Sequence, residues 1–161
     1  MTAEEVLKIY NDSISTGIQV WIDGGWCVDA LVGEQTREHA DLDVAVARRD
    51  ESKLRILLGS EGFVDLPRAD SSAWNFALQS GNQIVDIHVF EFDQNKFNAW
   101  GVEYPFESLS GTGMLAGQQV QCISPEWMFK FKTAYPPADK DKQDVQRLAA
   151  KFGFKIPASH Q

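Results

Sequence analysis

The stretch Ile18-Gln19-Val20-Trp21-Ile22-Asp23-Gly24-Gly25-Trp26-Cys27-Val28-Asp29-Ala30-Leu31 changes its period in the middle. Residues 18–22 alternate and are rich in β-branched side chains, which predicts a strand. Asp23-Gly24-Gly25 ends that strand with two flexible residues. Trp26 to Leu31 then predicts a short helix closed by Gly33. A polar loop, Glu34 to Ala40, leads into Asp41-Leu42-Asp43-Val44-Ala45-Val46, a second strand with carboxylates on one face at its start.

The same reading extends along the rest of the chain. It gives helices over 2–16, 51–59, 125–134 and 139–151. Further strands fall at 62–66, 74–79, 84–92 and 119–123, with Gly81-Asn82 as a hairpin turn, and 93–118 reads as loop-rich. Pro125 after Ser124 suits a helix start, and Pro136-Pro137 separates the last two helices. Helices and strands alternate first, then strands run together. The expected fold is therefore α/β (α+β), a mixed sheet flanked by helices with a small helical C-terminal region. The domain reading is a catalytic core over 1–118 and a C-terminal strand and helices over 119–161 packed on it.

The chain has 161 residues and a net charge of −8. This acidity argues against a general nucleic-acid binder, which needs a basic face for phosphates. Residues 130–161 nevertheless hold seven bases and three acids, leaving eight bases and twenty acids on the rest. A basic tail on an acidic body suits a positive wall facing a polyanion across an acidic floor. Cys27 and Cys122 form no C-x-x-C pair and read as buried thiols. No apolar run approaches a membrane span, and the acidic start lacks a leader's apolar stretch, so the expectation is a cytoplasmic protein.

Asp41 and Asp43 are two apart on a strand, so both point one way and repel unless a cation sits between them. Asp86 lies in the apolar strand Ile84-Val85-Asp86-Ile87-His88-Val89, where an unpaired acid is costly. If the strands are neighbours, the three carboxylates form a cluster able to hold two magnesium ions for phosphoryl chemistry. Gly24 and Gly25 allow close approach of a phosphate chain to the next helix's N–H groups.

These blocks resemble a known family. Residues 21–31, then Thr36-Arg37-Glu38-His39-Ala40-Asp41-Leu42-Asp43, Val85-Asp86-Ile87-His88, and Gly117-Gln118-Gln119-Val120-Gln121-Cys122-Ile123-Ser124 carry the likeness. The chain resembles the nucleotidyltransferases that share their core with DNA polymerase β, over about residues 5–150. Within them it is similar to the small antibiotic enzymes, the lincosamide nucleotidyltransferases and aminoglycoside 2''-adenylyltransferases. The resemblance implies that a hydroxyl of a small antibiotic attacks the α-phosphate of a nucleoside triphosphate, ATP preferred, and pyrophosphate leaves. It further implies that Asp41, Asp43 and Asp86 ligate magnesium, with Asp86 as base. Gly24, Gly25, the Trp26 amide, Arg37, His39 and Lys132 would meet the nucleotide. Asp141 and Asp144 match acids of the family's last helix, which orient Lys132 or meet a cationic acceptor. His88 matches the lincosamide type better. The segment 93–113 matches neither group closely, and its Trp100 and Tyr104 are expected in the substrate wall. The acceptor is thus a small antibiotic, lincosamide or aminoglycoside, with no nucleic acid or membrane partner. Monomer and homodimer both stay open. The alternatives are a toxin–antitoxin nucleotidyltransferase that modifies a protein, and a non-catalytic nucleotide-binding module.

Overall fold

The computed structural model describes residues 1–161. Helix α1 (Ala3–Ser15) starts at a capping box in which Thr2 and Glu5 bond each other's backbone N–H. Strand β1 (Val20–Asp23) leads into α2 (Gly24–Val32), then β2 (Leu42–Ala47) and α3 (Arg48–Ser60). Strands β3 (Val64–Leu66), β4 (Asn75–Ser80) and β5 (Gln83–Phe92) follow, then β6 (Asn98–Gly101), β7 (Gly111–Leu115) and β8 (Gln118–Cys122). Helices α4 (Pro125–Thr133) and α5 (Asp139–Phe152) close the fold. No helix is long and apolar enough to cross a membrane.

One sheet holds all eight strands, in the order β3-β4-β5-β2-β1-β8-β7, with β6 paired to β5. Strands β2 and β5 run parallel, as do β1 and β8, while β1 and β2 are antiparallel, so the sheet is mixed as expected. Gly81, at positive φ, sits in the tight turn where Ser80 pairs with Gln83. The alternate positions Val20, Ile22, Leu42, Val44 and Val85 share one face with Ile9 of α1 and Leu54 of α3, and all are buried. Each such side chain contributes roughly 1.5–3 kcal/mol by leaving water. The opposite face presents the polar alternates.

Three expectations need correction. Gly24 and Gly25 are not a loop but the first two residues of α2, because Asp23, the last residue of β1, also caps that helix. Asp41 lies just before β2 rather than in it. The segment 93–118 contains β6 and β7, whose glycines conceal them. Gly111 and Gly113 leave no room for a Cβ against Ile123 and Ala30, so β7 carries small residues where a strand signal would call for branched ones. The β7–β8 hairpin also spans residues 118 and 119, so the C-terminal segment begins inside the shared sheet.

Candidate active site

Three acids stand side by side on the polar face. Asp23 of β1 is in register with Asp43 of β2, which is in register with Asp86 of β5. His88 lies two residues beyond Asp86, on the same face, and its Nε2 is 3.3 Å from Asp43 Oδ1. Asp43 is held below the usual carboxylate range: burial opposes this, but His88, Lys132 and Lys140 outweigh it. Asp86 is raised by burial and by the charges of Asp43 and Asp41, against the pull of Arg68. Burial would lower His88, but the carboxylates around it raise it.

The acids share one end of the sheet without converging. No three histidine, cysteine or acidic side chains meet closely enough to hold a metal as they stand. Arg68 Nη1 donates to Asp86 Oδ1 at 2.6 Å and draws it outward, while His88 draws Asp43. Asp86 is therefore already paired with a guanidinium and Asp43 with an imidazole.

The start of α2 lies against this floor. Gly24 has φ of 59°, and a Cβ there would run into the Asp43 carboxylate, so only glycine allows the approach. The Gly24 N–H donates to Asp23 Oδ1 at 2.7 Å, which leaves the next amides of the turn as the ones facing outward. A Cβ on Gly25 would strike His39 and lie 2.6 Å from Arg37 Nη2. Two basic side chains thus meet over the first turn of α2.

His39 is fixed there. Its Nε2 is 2.5 Å from Asp29 Oδ2, its ring packs on Trp26 at 4.5 Å, and it is buried. Asp29 Oδ1 also accepts from the N–H and hydroxyl of Thr36, so this one acid of α2 ties down the loop that carries Arg37 and His39. Arg37 reaches Asp144 of α5, and Lys132 of α4 reaches Asp144 at 2.9 Å and Asp141 at 3.3 Å. Burial would lower the Lys132 ammonium, but Asp144 and Asp141 push it far up, so it stays charged. Of the tail's seven bases, Lys132 and Lys140 are the two whose charges act on Asp43 of the acidic floor.

Other expected residues sit elsewhere. Tyr104 is buried, and its hydroxyl donates to Asp23 Oδ2 at 2.5 Å, so it orients an acid rather than lining a substrate wall. Trp100 faces Glu91 across β5–β6, on the α3 side of the sheet, and packs on Trp74 and Arg48. Strand alternation places it opposite to the Asp86 face. Asp141 accepts from Tyr135, the Ala138 N–H and Lys132, which makes it a support for Lys132 rather than a contact for an acceptor. Sequence reasoning gave no role to Asp23, Asp29 or Arg68. Asp23 and Asp29 are in the quoted motif, whereas nothing in the loop composition around residue 68 marks Arg68.

The family model for aminoglycoside-2''-adenylyltransferase matches residues 5–148. The chain belongs to this family. A lincosamide resistance protein of Staphylococcus haemolyticus is 26% identical over 154 residues, covering 92% of this chain and 94% of that protein. A 2''-aminoglycoside nucleotidyltransferase of Escherichia coli is 26% identical over 150 residues, covering 88% and 82%. The aminoglycoside-2''-adenylyltransferase fold is also met in solved structures. The lincosamide antibiotic adenylyltransferase LnuA, lincomycin-bound, aligns with a TM-score of 0.80 at 23% identity, covering 94% of this chain and 98% of LnuA. ANT(2'')-Ia in complex with adenylyl-2''-tobramycin aligns with a TM-score of 0.76 at 23% identity, covering 94% and 89%.

Proposed function

We propose that this family member moves a nucleoside monophosphate, AMP from ATP in the first instance, onto a hydroxyl of a small antibiotic of the lincosamide or aminoglycoside type. The observation that carries the reading is the pairing of Asp43 with Asp86 in register, beside a first helical turn overhung by Arg37 and His39.

Each residue has a part. Lys132 and Arg37, held charged by Asp144, neutralise the triphosphate and steady the pyrophosphate as it leaves. The outward amides of Gly25 and Trp26 add donors at the positive end of α2. Asp86 accepts the proton of the attacking hydroxyl, and its raised pKa favours that role. The new bond joins the acceptor oxygen to the α-phosphorus, and the bond to the pyrophosphate oxygen breaks. Asp41, Asp43 and Asp86 suit a divalent cation in the chemistry of their donors, hard carboxylate oxygens grouped at one sheet end. Magnesium bound there, as two ions, would polarise the phosphate and the hydroxyl.

The test is pyrophosphate release with magnesium and each of the four triphosphates, against lincomycin, clindamycin and several aminoglycosides, with mass spectrometry of the products. One nucleotide mass gained by an acceptor, and lost in Asp86→Asn, is the expected result. No product across the panel, with triphosphate still bound, would sink the antibiotic acceptor.

A further inference from the structure

We propose that Arg68 competes with divalent metal for the Asp86 carboxylate and thereby sets the metal affinity of the site. The inference rests on the nucleotidyltransferase reading above, in which Asp41, Asp43 and Asp86 hold the metal. One row of residues crosses the sheet at the level of the acids. Leu66 of β3 is in register with Ala77 of β4, Ala77 with Asp86 of β5, Asp86 with Asp43 of β2, and Asp43 with Asp23 of β1. The chain therefore leaves β3 at the level of Asp86, and Arg68 stands two residues past Leu66. Directly opposed residues share a face, so the strand residue beside Asp86 on this side is a bare methyl group, that of Ala77. A side chain that short leaves the arginine room to cross to the acid.

The guanidinium has one partner. Arg68 Nη1 donates to Asp86 Oδ1 at 2.6 Å. The other bonds of this residue belong to its backbone: its N–H donates to Ser71 Oγ at 2.9 Å, and its carbonyl accepts from the Ser71 N–H at 3.1 Å. They fix where residue 68 stands and leave the head of the side chain free to let go. The charges of Asp41 and Asp70 add to the attraction. The Asp86 side chain is 12% exposed and that of Arg68 is 38% exposed. An acid that faces the site is thus covered by a cation that can swing out into water.

A divalent ion on Asp86 and Asp43 lies within a few ångströms of that guanidinium unless Arg68 leaves. Either the two positive charges repel or the ion pair breaks, and both outcomes weaken metal binding. Partly screened by water, an effect of this kind amounts to about tenfold in affinity. Arginine keeps its charge at every working pH, so the competition is permanent. By reciprocity, an ion that takes Asp86 releases the guanidinium into the cavity of about 210 Å³ that Asp70 and Asn75 also line.

Manganese, read by electron paramagnetic resonance, is the probe. It is added without nucleotide or acceptor to wild type, Arg68→Gln, Arg68→Lys and Arg49→Gln, and thermal melts verify that each is folded. Arg68→Gln should bind manganese about tenfold more tightly than wild type, and adding Asp43→Asn to it should abolish the gain. Arg68→Lys keeps the charge and should stay within about threefold of wild type. Arg49 is exposed on α3 and pairs with Asp50, so Arg49→Gln makes the same change in net charge away from the acids. It should alter the affinity by less than about twofold. Equal affinity in wild type and Arg68→Gln, no manganese held by either, or an equal gain in Arg68→Lys or Arg49→Gln overturns the proposal. Mass spectrometry of the products separates the two readings. Tighter manganese binding in Arg68→Gln without nucleotide transfer to any acceptor removes the reaction and keeps the competition. Transfer with an unchanged manganese affinity removes the competition and keeps the reaction.

Discussion

Arg37 and Asp144 lie 107 residues apart and meet fork to fork, Nε and Nη2 each donating at 3.0 Å to a separate carboxylate oxygen. Asp144 is fully buried and also holds Lys132. One acid of α5 therefore joins the loop after α2 to α4, at the proposed phosphate side of the site. Asp144→Ala leaves two cations partly buried beside each other, so it should cost about 3–5 kcal/mol. Urea titration should show a lower midpoint with an unchanged slope. The Michaelis constant for the triphosphate should rise as well, since Arg37 and Lys132 both lose their positions. Stability within about 0.5 kcal/mol of wild type would show that the bridge is not structural.

Gly25 tests the convergence of Arg37 and His39. Its φ is not in the left-handed region, so the backbone accepts alanine, and only the space is lacking. Gly25→Ala must push His39 or Arg37 aside, and overpacking of this kind costs about 1–3 kcal/mol. Nucleotide affinity should fall at least about tenfold, more than the change in melting temperature explains. At Gly24, with φ of 59°, alanine adds backbone strain to the clash with Asp43, so the loss of stability there should be larger.

The pH dependence of stability should single out Asp141. Burial works against its charged form, but the Tyr135 hydroxyl, the Ala138 N–H and Lys132 overcome this and hold it below the usual carboxylate range. A group depressed in the folded state stabilises fully above its unfolded pKa and loses that contribution as pH falls through the folded one. The difference in unfolding free energy between wild type and Asp141→Asn should therefore be flat above about pH 5 and shrink below about pH 4. A difference that grows on acidification would contradict the assignment.

The strand, Gly24-Gly25 and helix order and the acids Asp43 and Asp86 were legible because period and charge are local signals. That β2 and β5 are neighbours was inferred only as a condition, since strand adjacency is a long-range property. Trp100 and Tyr104 were misplaced for related reasons. A face cannot be assigned to a strand whose existence is hidden by Gly101, Gly111 and Gly113, and alternation then puts Trp100 on the α3 side. Tyr104 looks like any loop aromatic until the fold brings Asp23 to its hydroxyl. Arg68 was missed because a loop arginine has no pattern. Only the register of β4 on β5, with Ala77 beside Asp86, swings its loop over the acid.

Tyr104 and Asp23 form a bond whose loss can be read apart from catalysis. Asp23 accepts from Gly24 on one oxygen and from Tyr104 on the other, and both residues are buried. Burial and the Asp23 charge push the Tyr104 hydroxyl well up, so it stays a donor. Tyr104→Phe should cost about 1–3 kcal/mol, because a buried charged acceptor is left with one partner fewer.

Asp86→Asn removes the proposed base and keeps the shape. Asparagine still accepts a hydrogen bond from Arg68, so the loop between β3 and β4 stays in place and the fold should melt within a few degrees of wild type. Catalysis should not survive so well. The loss of a positioned base costs about 10²–10⁴ in rate, and the loss of a metal-binding oxygen adds to it. Asp43→Asn should be as severe, while freeing His88 from its partner and relieving the repulsion with Asp86. Without metal, that relief should raise or preserve the melting temperature of Asp43→Asn. With magnesium and triphosphate, wild type should gain more thermal stability than either variant, by mass action on the folded state. Equal gains in all three proteins, with turnover retained, would place the metal and the base elsewhere in the chain.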